Sequence, residues 1–166
     1  MVSEMPTSDS APVRAAPREG VLRDAYDFAM TQLGGTLATM HAEDGTPYVT
    51  FVFFHLTEDG HVVFGSQPGS QHARNLAATP EVSFLIDNRE VIREDWRRFT
   101  RIVIEGRAER VPAQDPRYEE LMRGFREKNR AAAELASQYA LYSIVPRRLV
   151  LMRGIGGERR AVEFDE

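Results

Sequence analysis

The chain has 166 residues and no cysteine. That excludes disulfides, a thiolate nucleophile and cysteine metal sites, and it fits a cytoplasmic location. Positive charge is not in excess either: 21 lysines and arginines face 25 acidic residues, for a net charge of -4. A nucleic-acid partner is therefore not expected. No apolar run is long enough to cross a bilayer, so no membrane partner is expected. The opening stretch MVSEMPTSDSAPVRAAPREG lacks the apolar segment of a secretory leader. It is rich in Ser, Pro, Ala and charge, and residues 1–19 read as a flexible tail ahead of one domain over residues 20–166.

Three kinds of chemistry are also missing. The four histidines (His41, His55, His61, His72) fall in different strands or turns, with no helical pair and no carboxylate cluster beside them. No metal site of ordinary spacing results, although a haem would need only one axial histidine. Ser66 in Gly65-Ser66-Gln67-Pro68-Gly69 stands one place early for a nucleophile elbow, which argues against a serine hydrolase. Gly154-Ile155-Gly156-Gly157 has no helix after it and reads as a hairpin loop rather than a dinucleotide loop.

What is present is a succession of short apolar strands. Residues 21–33 place Val21, Leu22, Ala25, Phe28, Ala29 and Leu33 on one helical face, and Gly34-Gly35 is expected to stop that helix. Residues 36–41 read as a strand, Pro47–Leu56 as a buried strand dense in β-branched and aromatic residues, and residues 61–66 as its hairpin partner. A helix over residues 71–78 and a strand over 82–87 follow. Residues 88–98 are a charged excursion containing the single tryptophan, Trp96. A long strand spans residues 99–111. Asp115-Pro116 predicts a capped helix with Tyr118, Leu121, Met122, Phe125, Ala132 and Leu135 on one face and a break near Asn129. Residues 139–144, 148–153 and 160–164 read as three closing strands. The pattern is mainly β, with helices at the edges of a closed barrel.

The junction GSQPGSQHARN, residues 65–75, carries more hydrogen-bonding side chains than a strand-to-helix turn needs. Ser70 is placed to cap the helix, whose first turn offers free backbone N–H groups and the positive end of the dipole. Ser66, Gln71, His72 and Arg74 add donors and charge, and a phosphate fits there. The plain alternative is a well-capped helix with solvated polar residues.

From about Gly35 onward the chain resembles the flavin-binding split barrels related to pyridoxamine 5'-phosphate oxidase. GTLATMHAEDGTPYVTFVFF is similar to the family's first hairpin. DGHVVFGSQPGSQHARNLAATPEVSFLI is similar to its strand, phosphate-binding turn, helix and following strand. FTRIVIEGRAERV resembles its long strand, and PRRLVLMRGIGGERR its closing hairpin. The resemblance implies a six-stranded antiparallel split β-barrel with peripheral helices. It further implies a homodimer with flavin mononucleotide (FMN) at the subunit interface. Backbone groups of Val49, Thr50, Phe51 and Val52 would border the flavin ring. Ser66 would lie near the ribityl chain or phosphate, and Ser70, Gln71 and His72, with Arg74, would hold the phosphate. Arg101 would reach the ring from the partner subunit, Met152 and Arg153 would lie near it, and Asn75 would brace the turn.

The oxidase proper carries arginine and lysine on the strand that here reads Val, Thr and Phe, so oxidation of vitamin B6 is not implied. Three readings follow. The first is an FMN-dependent oxidoreductase acting on a small-molecule substrate, with a nicotinamide as donor and no side chain marked as acid or base beyond Glu105 or Tyr48. The second is a haem-binding or haem-degrading split barrel, decided by whether His55 or His72 faces the dimer groove. The third is a non-catalytic flavin-binding protein. A deazaflavin in place of FMN fits the same resemblance.

Overall fold

The computed structural model describes residues 12–14 and 16–165. Six strands close on themselves: β2 (Gly34–Met40), β3 (Pro47–Leu56), β4 (Val62–Ser66), β5 (Glu81–Asp87), β6 (Thr100–Arg110) and β7 (Ala140–Arg153). Their order around the barrel is β7-β4-β3-β2-β5-β6 and back to β7, antiparallel at every step. β8 (Arg159–Glu163) adds to the C-terminal half of β7. β1 (Val13–Arg14) lies parallel to β8, so part of the stretch expected as tail is paired, while residues 1–11 lie outside the described residues.

The barrel closes because its strands alternate. On β3 the inward row is Val52, Phe54 and Leu56, all buried, and the outward row begins Val49, Phe51, Phe53. Phe54 meets Phe84 edge to face, with centroids 5.3 Å apart, in a core shared with Leu37, Phe64, Ile102 and Ile104. Helix α1 (Arg18–Met30) adds Val21, Ala25 and Ala29 to the same core. A second apolar layer forms outside the barrel. There α3 (Tyr118–Lys128) and α4 (Arg130–Ser137) set Met122, Phe125, Ala132, Ala133 and Ala136 against Val63 and Leu141. Gly65 lets α4 approach, since a Cβ there would stand 2.8 Å from the Ala136 Cα.

Four expectations are corrected. Helix α1 ends at Met30 rather than Leu33, which is 59% exposed. Gly34-Gly35 open β2 instead of stopping the helix, because the Phe51 and Phe84 rings occupy the space their side chains would need. The strands expected at 139–144 and 148–153 are one strand, β7. It carries Pro146 without a break because the β6–β7 register shifts between Glu105 and Gly106. The third helix begins at Tyr118, with Asp115 accepting from the Arg117 N–H in the turn before it, and the break at Asn129 is present, that side chain capping α4. Residues 88–98 form two short 3-10 turns tied back by Asn88, which accepts from the Thr100 N–H at 2.7 Å.

One irregularity positions everything that follows. β4 pairs with β3 only at Phe54, His55 and Leu56, whereas β2 pairs with β3 from Pro47 to Phe53. Past Phe54 the two strands part, β4 continuing beside β7 through Ser66. Among the described residues no strand covers the second edge of β3 over residues 47–53. The barrel is therefore split, and the split leads to the junction before α2 (Gln71–Ala78).

Candidate functional site

The junction between β4 and α2 is built as expected in outline, but its side chains hold one another. Ser70 caps α2, its Oγ accepting from the Ala73 N–H at 3.2 Å. Ser66 is buried, and its Oγ lies 2.9 Å from Nδ1 of His72. Asn75, also buried, accepts from the Ala42 N–H and from Gln71, and donates to the Thr39 hydroxyl at 2.9 Å. It braces α2 against the β2–β3 turn. Gln71 donates to the Glu43 carboxylate at 3.0 Å. Arg74 donates to the Gly69 carbonyl and to Gln71 Oε1, with Glu43 3.6 Å away.

Two consequences follow for an anionic ligand. Among the described residues nothing accepts from the backbone N–H groups of Gln71 and His72 at the positive end of the helix, which a phosphate requires. The charged part is less prepared: Glu43 sits on Gln71 and Arg74, and burial pushes the His72 imidazole below its ordinary range, so it is uncharged at neutral pH. The junction thus offers an anion free backbone N–H groups rather than unpaired charge.

Along the open edge of β3, Val49 and Phe51 point outward, 63% and 62% exposed, and Phe53 meets Phe51 at 5.2 Å. Thr50 and Val52 lie on the barrel side, Val52 buried. Arg101, Met152 and Arg153 form a separate group. Arg101 and Met152 are cross-strand partners, and Arg153 lies 3.8 Å from Asp24. Nε and Nη2 of Arg101 are buried without a hydrogen-bond partner among the described residues. No hydrogen bond or ion pair joins this group to the junction among the described residues. Tyr48 packs on His41, and Glu105 lies on the outer row of β6.

His55 extends the outward row of β3 but is buried under α3, where Gly124 has no side chain to displace it. It borders a polar cavity of about 560 Å3. Burial, aided by the nearby Lys128 charge, pushes its imidazole down to about 4. An unfolded histidine takes up its proton near about 6.5. Between those values the unfolded chain binds more protons, so stability rises with pH there and is lost as pH falls through the window. The melting temperature should drop between pH 6.5 and 4, and His55→Gln should flatten that drop; an unchanged slope would remove His55 as its cause.

Sequence reasoning missed Lys128. Its Nζ donates to the Phe54 carbonyl at 2.9 Å and lies 3.4 Å from the Phe54 ring centroid. A signal existed, since of the 21 lysines and arginines it is the one lysine.

No group of His, Cys, Asp or Glu that could hold a metal occurs among the described residues, and no described helix is long and apolar enough to cross a membrane. A family profile described as pyridoxamine 5'-phosphate oxidase matches residues 27–153. No curated protein matches the sequence. Solved structures do. A haem-binding protein from Mycobacterium smegmatis is 22% identical with a TM-score of 0.70, covering 89% of this chain, which spans 59% of that protein. A haem storage protein from Vibrio cholerae is 20% identical with a TM-score of 0.66, over 80% of this chain and 95% of the other. A FAD-binding protein from Mesorhizobium loti is 20% identical with a TM-score of 0.62, over 85% and 93%. At such identities the likeness is one of fold.

Proposed function

Because the chain belongs to the pyridoxamine 5'-phosphate oxidase family, we propose that it is a flavin-binding redox protein that seats FMN in the split beside β3, within a homodimer, and acts on a small molecule. The observation that carries this reading is the uncovered edge of β3 over residues 47–53, one wall of which is apolar. Main-chain N–H and C=O groups in such a place need partners. A planar ring with alternating donors and acceptors along one side supplies them. FMN, when bound, would supply the two-electron chemistry. Val49 to Val52 would fix the ring edge, and the N–H groups of Gln71 and His72 would meet the phosphate. Arg101 would serve the ring of the neighbouring subunit, as its place in the family pattern implies.

A second reading rests on His72. Its Nδ1 is held by Ser66, its other ring nitrogen has no hydrogen bond among the described residues, and the ring is uncharged. That is how a protein presents an imidazole to a metal, so haem is the alternative occupant.

Visible absorption decides between them. The purified chain mixed with FMN should show a two-banded flavin spectrum that survives gel filtration. Glu43→Gln should tighten FMN binding roughly tenfold by freeing Gln71 and Arg74 for the phosphate. A Soret band with haem that disappears in His72→Ala would move the assignment to haem, and binding of neither would sink both. Reoxidation of NADH or NADPH by the loaded protein separates an enzyme from a flavin carrier.

A further inference from the structure

β3 does not end at the split. Beyond Phe54 it continues into its hairpin with β4, where the outer face of the sheet carries His55, Val63 and Ser143 as cross-strand neighbours on β3, β4 and β7. α3 lies over this row. The helix and the hairpin turn together line the polar cavity of about 560 Å3. Sites for small molecules commonly measure roughly 300–1,000 Å3. None of its lining residues falls within 47–53 or 65–75, so the cavity is separate from the split and from the junction.

The floor of the cavity holds a polar group without a partner. His55 is only 6% exposed, yet neither ring nitrogen makes a hydrogen bond among the described residues. Nδ1 is the buried one. Nε2 lies at Gly124, where a Cβ would stand 2.5 Å from it, so the missing side chain leaves that nitrogen a gap in the helix face. The ring is uncharged and carries one hydrogen. Orphaned donors are rarer in protein interiors than orphaned acceptors, which places the hydrogen on Nε2, facing the gap. The buried Ser143 hydroxyl is likewise without a hydrogen bond among the described residues.

The rim supplies acceptors. Glu120, Gly124 and Glu127 share one face of α3, so a carboxylate stands about one turn to either side of the gap. Glu58 of the hairpin turn adds a third. None of these acids has an ion-pair partner among the described residues, and neither has Arg123 beside Gly124. Arg117, at the same cavity, is by contrast held by Asp115 at 2.9 Å. An anion here would face the carboxylates. A cation would face Arg123 and the Lys128 charge that already acts on His55. A molecule built of hydroxyls meets neither obstacle, since each can accept from His55 or Arg123 and donate to a carboxylate. Tyr26 of α1, also on the lining, offers a ring for its apolar face.

We propose that this cavity is a binding site for a neutral polyol of sugar size, whose hydroxyls accept from His55 Nε2–H and donate to Glu120 and Glu127. The inference goes beyond the flavin reading and stands whether or not FMN binds.

The test uses the isotope-labelled full chain with D-glucose and myo-inositol as neutral probes, and with D-glucosamine and D-gluconate as a cation and an anion of like size. Long-range proton–nitrogen spectra read the imidazoles, and the His55 signals are those lost in His55→Gln. Without a probe they should show the hydrogen on Nε2. A neutral probe should shift them with a Kd on the order of 1 mM, while the signals of His41 and His72 stay in place. The paired change Glu120→Ala and Glu127→Ala, both at exposed positions, should leave the chain folded and weaken that binding at least about tenfold. Gly124→Ala, which fills the gap, should abolish it. A hydrogen on Nδ1, no shift with either neutral probe, or tighter binding of a charged probe would overturn the proposal. The unaltered chain decides the matter even if a variant does not fold.

Discussion

The unaltered chain is expected to elute as a dimer, and a chain carrying Phe51→Asp and Phe53→Asp as a folded monomer. Both rings stand on the outward row of β3, with Val49, and contribute little to the barrel core. The inward row, which holds the core, is untouched, so the barrel should melt within a few degrees of its ordinary temperature. In a dimer that covers this face the two rings, 62% and 38% exposed, bury about one full side chain per chain, or about 1.5–3 kcal/mol. Losing them from both chains, roughly 3–6 kcal/mol, weakens association about 100- to 20,000-fold. Buried carboxylates add a further penalty. Sedimentation velocity over a range of concentrations reads the result directly. Persistence of the dimer would place the interface elsewhere and take with it the reading of Arg101 as a residue offered to a neighbouring subunit.

Asn75→Leu is the second large effect. The leucine fills a similar volume but leaves the buried Thr39 hydroxyl and the Ala42 N–H, in a part-buried contact, without their partner. Each orphaned group costs about 1–3 kcal/mol. A total of up to roughly 2–6 kcal/mol corresponds to a fall of about 4–24 °C in melting temperature for a domain of this size. The loss also has a direction. Asn75 ties α2 to the β2–β3 turn, so the helix start carrying Ser70, Gln71 and His72 should swing and binding in the split should weaken by more than the stability change alone implies. A calorimetric scan with and without FMN separates the two. A variant with unchanged melting and unchanged binding would show that the helix is held elsewhere.

Where the chain signals its structure locally, the sequence is legible. Pro47–Leu56 and Gln71–Ala78 have the bounds that their composition and capping residue announce. The failures share a cause, which is that the deciding contact lies far along the chain. Gly34 reads as a stop because nothing nearby shows that Phe51 needs its space. Residues 139–144 and 148–153 read as two strands because the register shift that accommodates Pro146 between them belongs to β6. The polar junction reads as ready for a phosphate because Glu43, which occupies Gln71, lies 28 residues upstream. Lys128 escapes notice because its partner, Phe54, is 74 residues away and hydrophobic. The barrel can be read from alternation and the family pattern, whereas the charge balance of its site cannot.

The split in the barrel also bears on how the chain survives in a crowded solution. Residues 48–54 read YVTFVFF: uncharged, free of proline and glycine, and strongly β-forming. Such a run with a bare edge is the template from which cross-β aggregates grow. Here the edge is bare over residues 47–53 and the outward face is apolar as well. Whatever fills the split and covers that face therefore acts as a guard against self-assembly. The occupant is then a solubility factor before it is a reagent, and a chain that loses it is at risk of precipitating rather than merely falling idle.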